Sequence, residues 1–421
     1  MSSEWRATTL GEVCKAQGGA IQTGPFGSQL HTSDYQQTGA PVVMPTNIGD
    51  GGIITDGIAR VGESDVARLS QHKLQLGDVV FSRRGDVTKN ALVRSREVGW
   101  LCGTGCLKVR LGDESVATAK FISHCLRAPD TKDWLIRHAV GATMPNLNTG
   151  ILSAVPISLP PMGIQLAIVD MLDALDDRTA LLRETNTTLE AIAQALFKSW
   201  FVDFDPVRAK LDGCVPEGMD EATAALFPDS FEESALGLAP TGWRVGRVDD
   251  LVELAYGKAL KASDRTAESV PVYGSGGITG YHNQALVHTP SIIVGRKGTV
   301  GSLYWEDRPF FPIDTVFYVK TNKPLSYCFY QLARLGLKDM NTDGAVPGLN
   351  RNNVYRLKIL LPPDEILAEF DAVTSILRKK MVSNSEQIDA LSKLRDTLLP
   401  RLISGQLCLP EAETILEKAI A

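Results

Sequence analysis

Several groups of residues in this 421-residue chain have types and spacings that could support chemistry. Residues 274–280, GSGGITG, have the glycine density of a loop that approaches a phosphate closely. Thr279 stands where the third glycine of G-x-G-x-x-G would fall, and no segment reads G-x-x-x-x-G-K-[ST]. Cys102 and Cys106 have no second pair for a metal. The six histidines (31, 72, 124, 138, 282 and 288) contain no H-E-x-x-H. A methyltransferase acting on an exocyclic amine would carry an aromatic residue after its Pro-Pro. Here Pro160-Pro161 and Pro362-Pro363 are followed by Met162 and Asp364. Asp203 and Asp205 in WFVDFDP are the best carboxylate pair, and the end of a helix docking on a partner accounts for them more simply. No catalytic constellation remains.

Binding chemistry does remain. Arg83 and Arg84 follow the apolar run VVFS, with Lys89 a few residues on, and Arg296 and Lys297 follow IIVG. Arginine or lysine beside glycine at a strand end brings positive charge and backbone close to a phosphate, and arginine can also grip guanine in two-pronged fashion. The glycine-rich stretches GPFGSQL and YGSGGITGYHN add Ser28, Gln29, Tyr273, Ser275 and Asn283 as candidates for base-edge or phosphate contacts. Each of these five could equally be a turn residue bonded to its own backbone.

The elements that hold these residues are announced by a repeat. Residues 145–161 read PNLNTGILSAVPISLPP and residues 347–363 read PGLNRNNVYRLKILLPP, with an offset of 202. Pro145/Pro347, Leu147/Leu349, Asn148/Asn350 and the closing Leu-Pro-Pro all keep that offset, which marks a duplicated half-molecule rather than a solenoid. The openings echo each other as well, Trp5 matching Trp243 at an offset of 238, so the first globule is the longer. Within each globule short apolar or β-branched runs (PVVMP, GDVVFSRRG and GCLKVRL; SIIVGRKGTVGSLYW and DTVFYVK) alternate with turn residues and read as strands. The stretches VATAKFISHCLRA and LSYCFYQLARLGL read as helices, which makes each globule α+β.

After each Leu-Pro-Pro the periodicity becomes helical. Ile168, Leu175, Leu182, Leu189 and Leu196 recur every seven residues, and Met171, Arg178, Thr185, Ile192 and Ser199 fall three further on. The second copy supplies Phe370, Leu377, Asn384, Leu391 and Leu398, with Val373, Lys380, Gln387, Leu394 and Arg401. This spacing predicts two long helices joined along a coiled-coil seam, each a rod of about 57 Å at roughly 1.5 Å per residue. The expected organisation is a globule over 1–150, a helix over 151–201 and an extended, acidic, proline-containing linker with one short helix over 202–241. A second globule over 242–352 and a second helix and tail over 353–421 complete it.

Net charge is −6, yet residues 151–241 carry five Lys or Arg against fifteen Asp or Glu, leaving both globules mildly basic. If the chain holds DNA, it does so with help from partners. No apolar stretch is long enough to span a membrane, and the opening MSSEWRATTLGEV lacks the composition of a signal peptide. Seven scattered cysteines are the odd set expected of reduced thiols in a cytoplasm.

The phrases FKSWFVDFDPVRAK and LRDTLLPRLISGQL, together with two divergent globules that share PNLN-like exits, resemble the specificity (S) subunit of Type I restriction–modification systems. Segments 23–30, 272–283 and 294–305 are similar to stretches of that family's target recognition domains. The resemblance covers nearly the whole chain. It implies two recognition domains, each reading half of an asymmetric split sequence in double-stranded DNA, on two antiparallel helices that act as a ruler. It also implies two methyltransferase and two restriction subunits as partners. S-adenosylmethionine, ATP and Mg would bind in those partners, and no cofactor or metal in this subunit. The alternatives are the same architecture in a methylation-only or fused system, a coiled-coil adaptor without DNA binding, and a nucleotide enzyme built on the GSGG loop.

Overall fold

A computed structural model describes residues 5–141, 143–266, 268–341 and 348–420. Pro347, the first residue of the second repeated phrase, lies outside the described residues. The chain divides into two compact units, Met1–Leu181 with Gln387–Ala421, and Leu182–Glu386, so each unit holds part of both long helices.

The two units repeat one frame. In the first, a sheet runs in the order Gly18–Thr23, Cys106–Gly112, Val79–Ser82, Asn90–Leu92, Asp50–Gly51. In the second the order is Glu253–Tyr256, Val316–Lys320, Ser291–Gly295, Leu303–Glu306. The first four strands correspond one to one. Each frame is closed by a strand pair that ties entry to exit, Arg6–Thr9 with Pro156–Leu159 and Arg244–Arg247 with Lys358–Leu361. Interiors differ. The first unit adds a four-stranded sheet from Tyr35–Gln36, Ala59–Val61, Ala40–Val43 and Leu101–Cys102, and the second a three-stranded one from Gly277–His282, Val270–Gly274 and Phe311–Pro312.

Several letters of the repeated phrase have a physical cause. Leu147 and Leu349 are buried anchors. The Asn148 side chain accepts from the Ile151 N–H (2.8 Å) and that of Asn350 from the Asn352 N–H (2.9 Å), so each starts a short helix. The closing strand follows, and then two prolines, which lead into the long helices Met162–Lys198 and Asp364–Ile403.

The long helices pair within each unit. In the second, Asn186 meets Asn384 and Phe197 meets Phe370, so the helices run antiparallel. Ile168, Leu175, Leu182, Phe370 and Leu398 are buried, and Leu189, Leu196, Leu377 and Leu391 half-buried. The expected second row lies in the seam only in part: Met171 and Leu394 are half-buried and pack on the first unit's core. Arg178, Ile192, Val373, Lys380, Gln387 and Arg401 are exposed, while Leu172, Thr179, Ala193, Thr374 and Leu402, four residues beyond the first row, are buried. Steps of three and four alternate along a seam, so the heptad alone does not say which comes first. The row at plus four supplies Leu172 and Trp200 to the cores, and their burial decides it.

Polar bolts fix each globule to its helices. In the first unit the helix Ala119–Arg127 lays Lys120 on Asp173 (2.6 Å), and Arg127 on Asp176 (3.0 Å), which also receives Arg395 from the second long helix (2.8 Å). Arg127 donates to His124 Nδ1 (2.6 Å), leaving Nε2–H to donate to Asp173 (2.9 Å), so the pair fits a neutral imidazole. In the second unit Ser326 bonds Asp371 (2.9 Å), Lys323 pairs with Asp364 (2.6 Å), and Arg378 pairs with Asp307 (2.5 Å) while stacking over Trp305.

The segment expected as an extended linker with one short helix is more fully folded than that. It holds the helices Asp205–Leu211 and Glu221–Leu226 and a hairpin of Phe231–Ser234 with Gly237–Pro240. Its Phe204, Val207 and Phe227 join the second unit's core. Proline and acid content masked these apolar anchors, Phe204 and Val207 about one turn apart and Phe227 well beyond them. Phe204 adopts the left-handed φ of +58°, a strain of about 1–2 kcal/mol, and its ring packs on Trp243 (5.5 Å).

Candidate nucleic-acid interface

The two basic turns occupy the same place in the frame. Each follows a buried strand, Val79–Ser82 or Ser291–Gly295, and each is pinned to the repeated phrase. Leu147 N–H donates to Arg83 O (2.9 Å) and Leu349 N–H to Arg296 O (2.8 Å). Arg84 bridges to Asn146 and Lys297 to Gly348, positions that are themselves 202 apart. Gly85 (φ +78°) and Gly298 (φ +85°) then turn the backbone into the left-handed region that glycine tolerates. Arg84, Lys89 and Lys297 are exposed, and Arg83 and Arg296 half-buried. Lys89 belongs to the same turn as Arg83 and Arg84, because Ser82 N–H donates to Lys89 O (3.1 Å).

The remaining candidates divide. Gly24 N–H donates to Cys106 O and Arg83 N–H to Gly105 O, so the loop carrying Ser28 and Gln29 leaves the sheet beside the first basic turn. Ser28 is exposed there, whereas the Gln29 side chain accepts from Phe26 N–H (3.1 Å) and serves its own turn. Ser275 lies against the second basic turn, its hydroxyl accepting from Thr299 N–H (3.4 Å). Asn283 is exposed beyond the far end of Gly277–His282, away from the Ser275 turn. Tyr273 is buried. It is 6% exposed, its hydroxyl donates to Glu306 (2.9 Å), and burial together with that carboxylate pushes its pKa up. The strand Val270–Gly274 is buried on both sides, Val272 fully so, and the Tyr273 ring lies against Tyr304 and Phe310.

The glycine-rich stretch is a hairpin tip. Gly274 pairs with Gly277 and a strand, not a helix, follows, so no helix N-terminus stands where a pyrophosphate would sit. Cys102 and Cys106 are buried thiols, with Cys106 donating to Val43 O (3.3 Å) and burial pushing Cys102 up to about 12. Asp203 pairs with Lys198, and Asp205 opens the helix Asp205–Leu211.

Two further residues stand at the second turn. Tyr256 and Arg351 join Arg296, Lys297 and Asn350 around a cleft of about 280 Å³. Arg351 follows immediately after the repeated PGLN, which was its only signal in the sequence. Tyr256 ends an edge strand and gave none.

A model of the family described as Type I restriction modification DNA specificity domain matches residues 2–191 and 240–394. The chain belongs to that family. The HindI specificity subunit of Haemophilus influenzae is 26% identical over 480 aligned positions, covering 96% of this chain and all of that one. The MjaIX specificity subunit of Methanocaldococcus jannaschii is 25% identical, with 70% of each chain covered. An S subunit from M. genitalium has the same fold, with a TM-score of 0.58 over 95% of this chain at 16% identity. The specificity subunit thus consists of two recognition domains on two long antiparallel helices, and its family's part is to select DNA, not to catalyse. Among the described residues no helix is long and apolar enough to cross a membrane.

Proposed function

We propose that this specificity subunit directs a Type I restriction–modification complex to a split, asymmetric DNA sequence, each recognition domain reading one half. Two methyltransferase and two restriction subunits dock on the helical frame. They bring S-adenosylmethionine, ATP and Mg, and the complex works in the cytoplasm. One observation carries the reading. The same four-strand order, closing strand pair and pinned basic turn occur twice, around interiors that differ. A repeated frame suits two copies of one partner, and divergent interiors suit two different half-sites.

The test is a methylation map. The chain is co-expressed with its cognate methyltransferase subunit in a host lacking adenine methylation, and modified bases are read by sequencing. The expected result is one split motif with methyladenine in both halves, absent without this chain. Methylation of a continuous site, or of none, overturns the reading in favour of a coiled-coil adaptor.

A further inference from the structure

We propose that the cleft between the Arg296–Lys297 turn and the Leu349–Asn352 segment seats a phosphodiester of the DNA backbone, and that this grip belongs to the second recognition domain alone. The inference rests on the function proposed above and deepens it.

Two guanidiniums share one ring here. Arg296 Cζ lies 5.0 Å and Arg351 Cζ 4.9 Å from the Tyr256 ring centroid, with second aromatic contacts to Phe317 (5.8 Å) and Tyr355 (5.6 Å). Each is also fastened by one N–H to a backbone carbonyl, Arg296 to Asp314 O (2.9 Å) and Arg351 to Leu254 O (3.3 Å). Arg351 Nε is buried without a hydrogen-bond partner. Lys297 stands exposed at the rim. Among the described residues the lining contains no carboxylate. Among the described lining residues three cations are therefore gathered without a carboxylate, and two have planar forks held against the Tyr256 ring. That arrangement matches a phosphate, which takes two-pronged donation and supplies the missing charge.

The first domain has the same frame without the cradle. Gly257 N–H donates to Val316 O as Gly24 N–H donates to Cys106 O, so Thr23 holds the place of Tyr256. Thr149 follows the helix-starting Asn148 as Arg351 follows Asn350. Arg83 holds the place of Arg296, and its Nε is given to Asn146 Oδ1 (3.3 Å). Threonine at both supporting positions leaves one arginine where the second domain stacks two.

The experiment measures binding of the chain assembled with its methyltransferase subunits to target and scrambled duplexes across a salt series. Arg351→Ala is expected to weaken both duplexes by the same factor and to lower the slope of log affinity against log salt by about 0.9, the loss of one phosphate contact. Arg351→Lys should keep most of the slope, Lys297→Ala, an exposed change with little risk to folding, should lower it, and Thr149→Ala should leave it unmoved. A neutral methylphosphonate at the contacted position should weaken the parent as much as Arg351→Ala does, and the variant no further. An unchanged slope in both Arg351→Ala and Lys297→Ala overturns the phosphate seat, as does a loss confined to one base pair of the target. A parent complex with no preference for target over scrambled DNA overturns the functional reading itself.

Discussion

At the scale of single residues, the contacts that hold the helices are of two kinds, and they respond differently to substitution. Phe370 is fully buried among Phe197, Trp200 and Phe201, with ring centroids 5.0–6.1 Å away. Phe370→Ala removes apolar contact and leaves a cavity, so unfolding should become easier by about 3–5 kcal/mol, read from denaturant titration. Asn384 is also fully buried but polar, donating to Asn186 Oδ1 (2.8 Å) while Asn186 donates to Met381 O (3.1 Å). Asn384→Ala strands the Asn186 oxygen and should cost about 1–3 kcal/mol, whereas replacing both asparagines by leucine should recover that loss. Failure of the double variant to recover would mean the pair does more than satisfy itself. At the first basic turn, Arg83→Ala with Arg84→Ala should weaken DNA binding and flatten its salt dependence, because the exposed Arg84 and the half-buried Arg83 sit on a turn whose backbone is fixed at four points.

Elements add what no residue supplies alone. The helix Ala119–Arg127 joins globule to spacer through His124, Lys120 and Arg127, and the chemistry of that joint sets a pH response. Burial, with the Arg127 charge beside it, holds the His124 imidazole below its ordinary pKa against the opposing pull of Asp173. Asp173, although burial alone would raise it, is held down to about 2 by its bonds to His124 and Lys120. A histidine depressed in the folded state contributes stability that is present above the unfolded value of about 6.5 and lost as pH falls below it. Thermal unfolding of the chain should therefore move to lower temperature between about pH 7 and pH 5, and His124→Gln should shrink that step, the remainder belonging to His72, which burial also holds below its ordinary pKa. The carboxylate loses its contribution only below about pH 4, so the two steps are separable. An unchanged profile in His124→Gln would assign the first step to another group.

For the whole molecule, the antiparallel helices matter because each unit contains part of both. One heptad inserted into 175–189 alone shifts every later seam residue of the first helix by about 10.5 Å against an unaltered partner. Assembly and DNA targeting should both be lost. Matching heptads in both helices should restore assembly and lengthen the gap in the methylated motif by about three base pairs, read from the same map. Survival of the single insertion with an unchanged gap would remove the helices from any measuring role.

The sequence by itself determined the duplication, the two long helices, the first row of the seam, the α+β character of the globules and the paired basic turns. Each of these is written in short-range order, in heptads, strand alternation, or a phrase whose letters cap helices and start them. The tertiary structure decided the rest. Whether the seam steps by three or by four depends on which side chains reach a core, and Leu172 and Trp200 do. Whether Tyr273 faces solvent depends on a carboxylate 33 residues away. The stacking of Arg296 and Arg351 on Tyr256 joins three segments far apart in the chain, and none carries a local sign of the others. Local periodicity fixes which way a backbone turns, and only long-range packing fixes which side chains then meet.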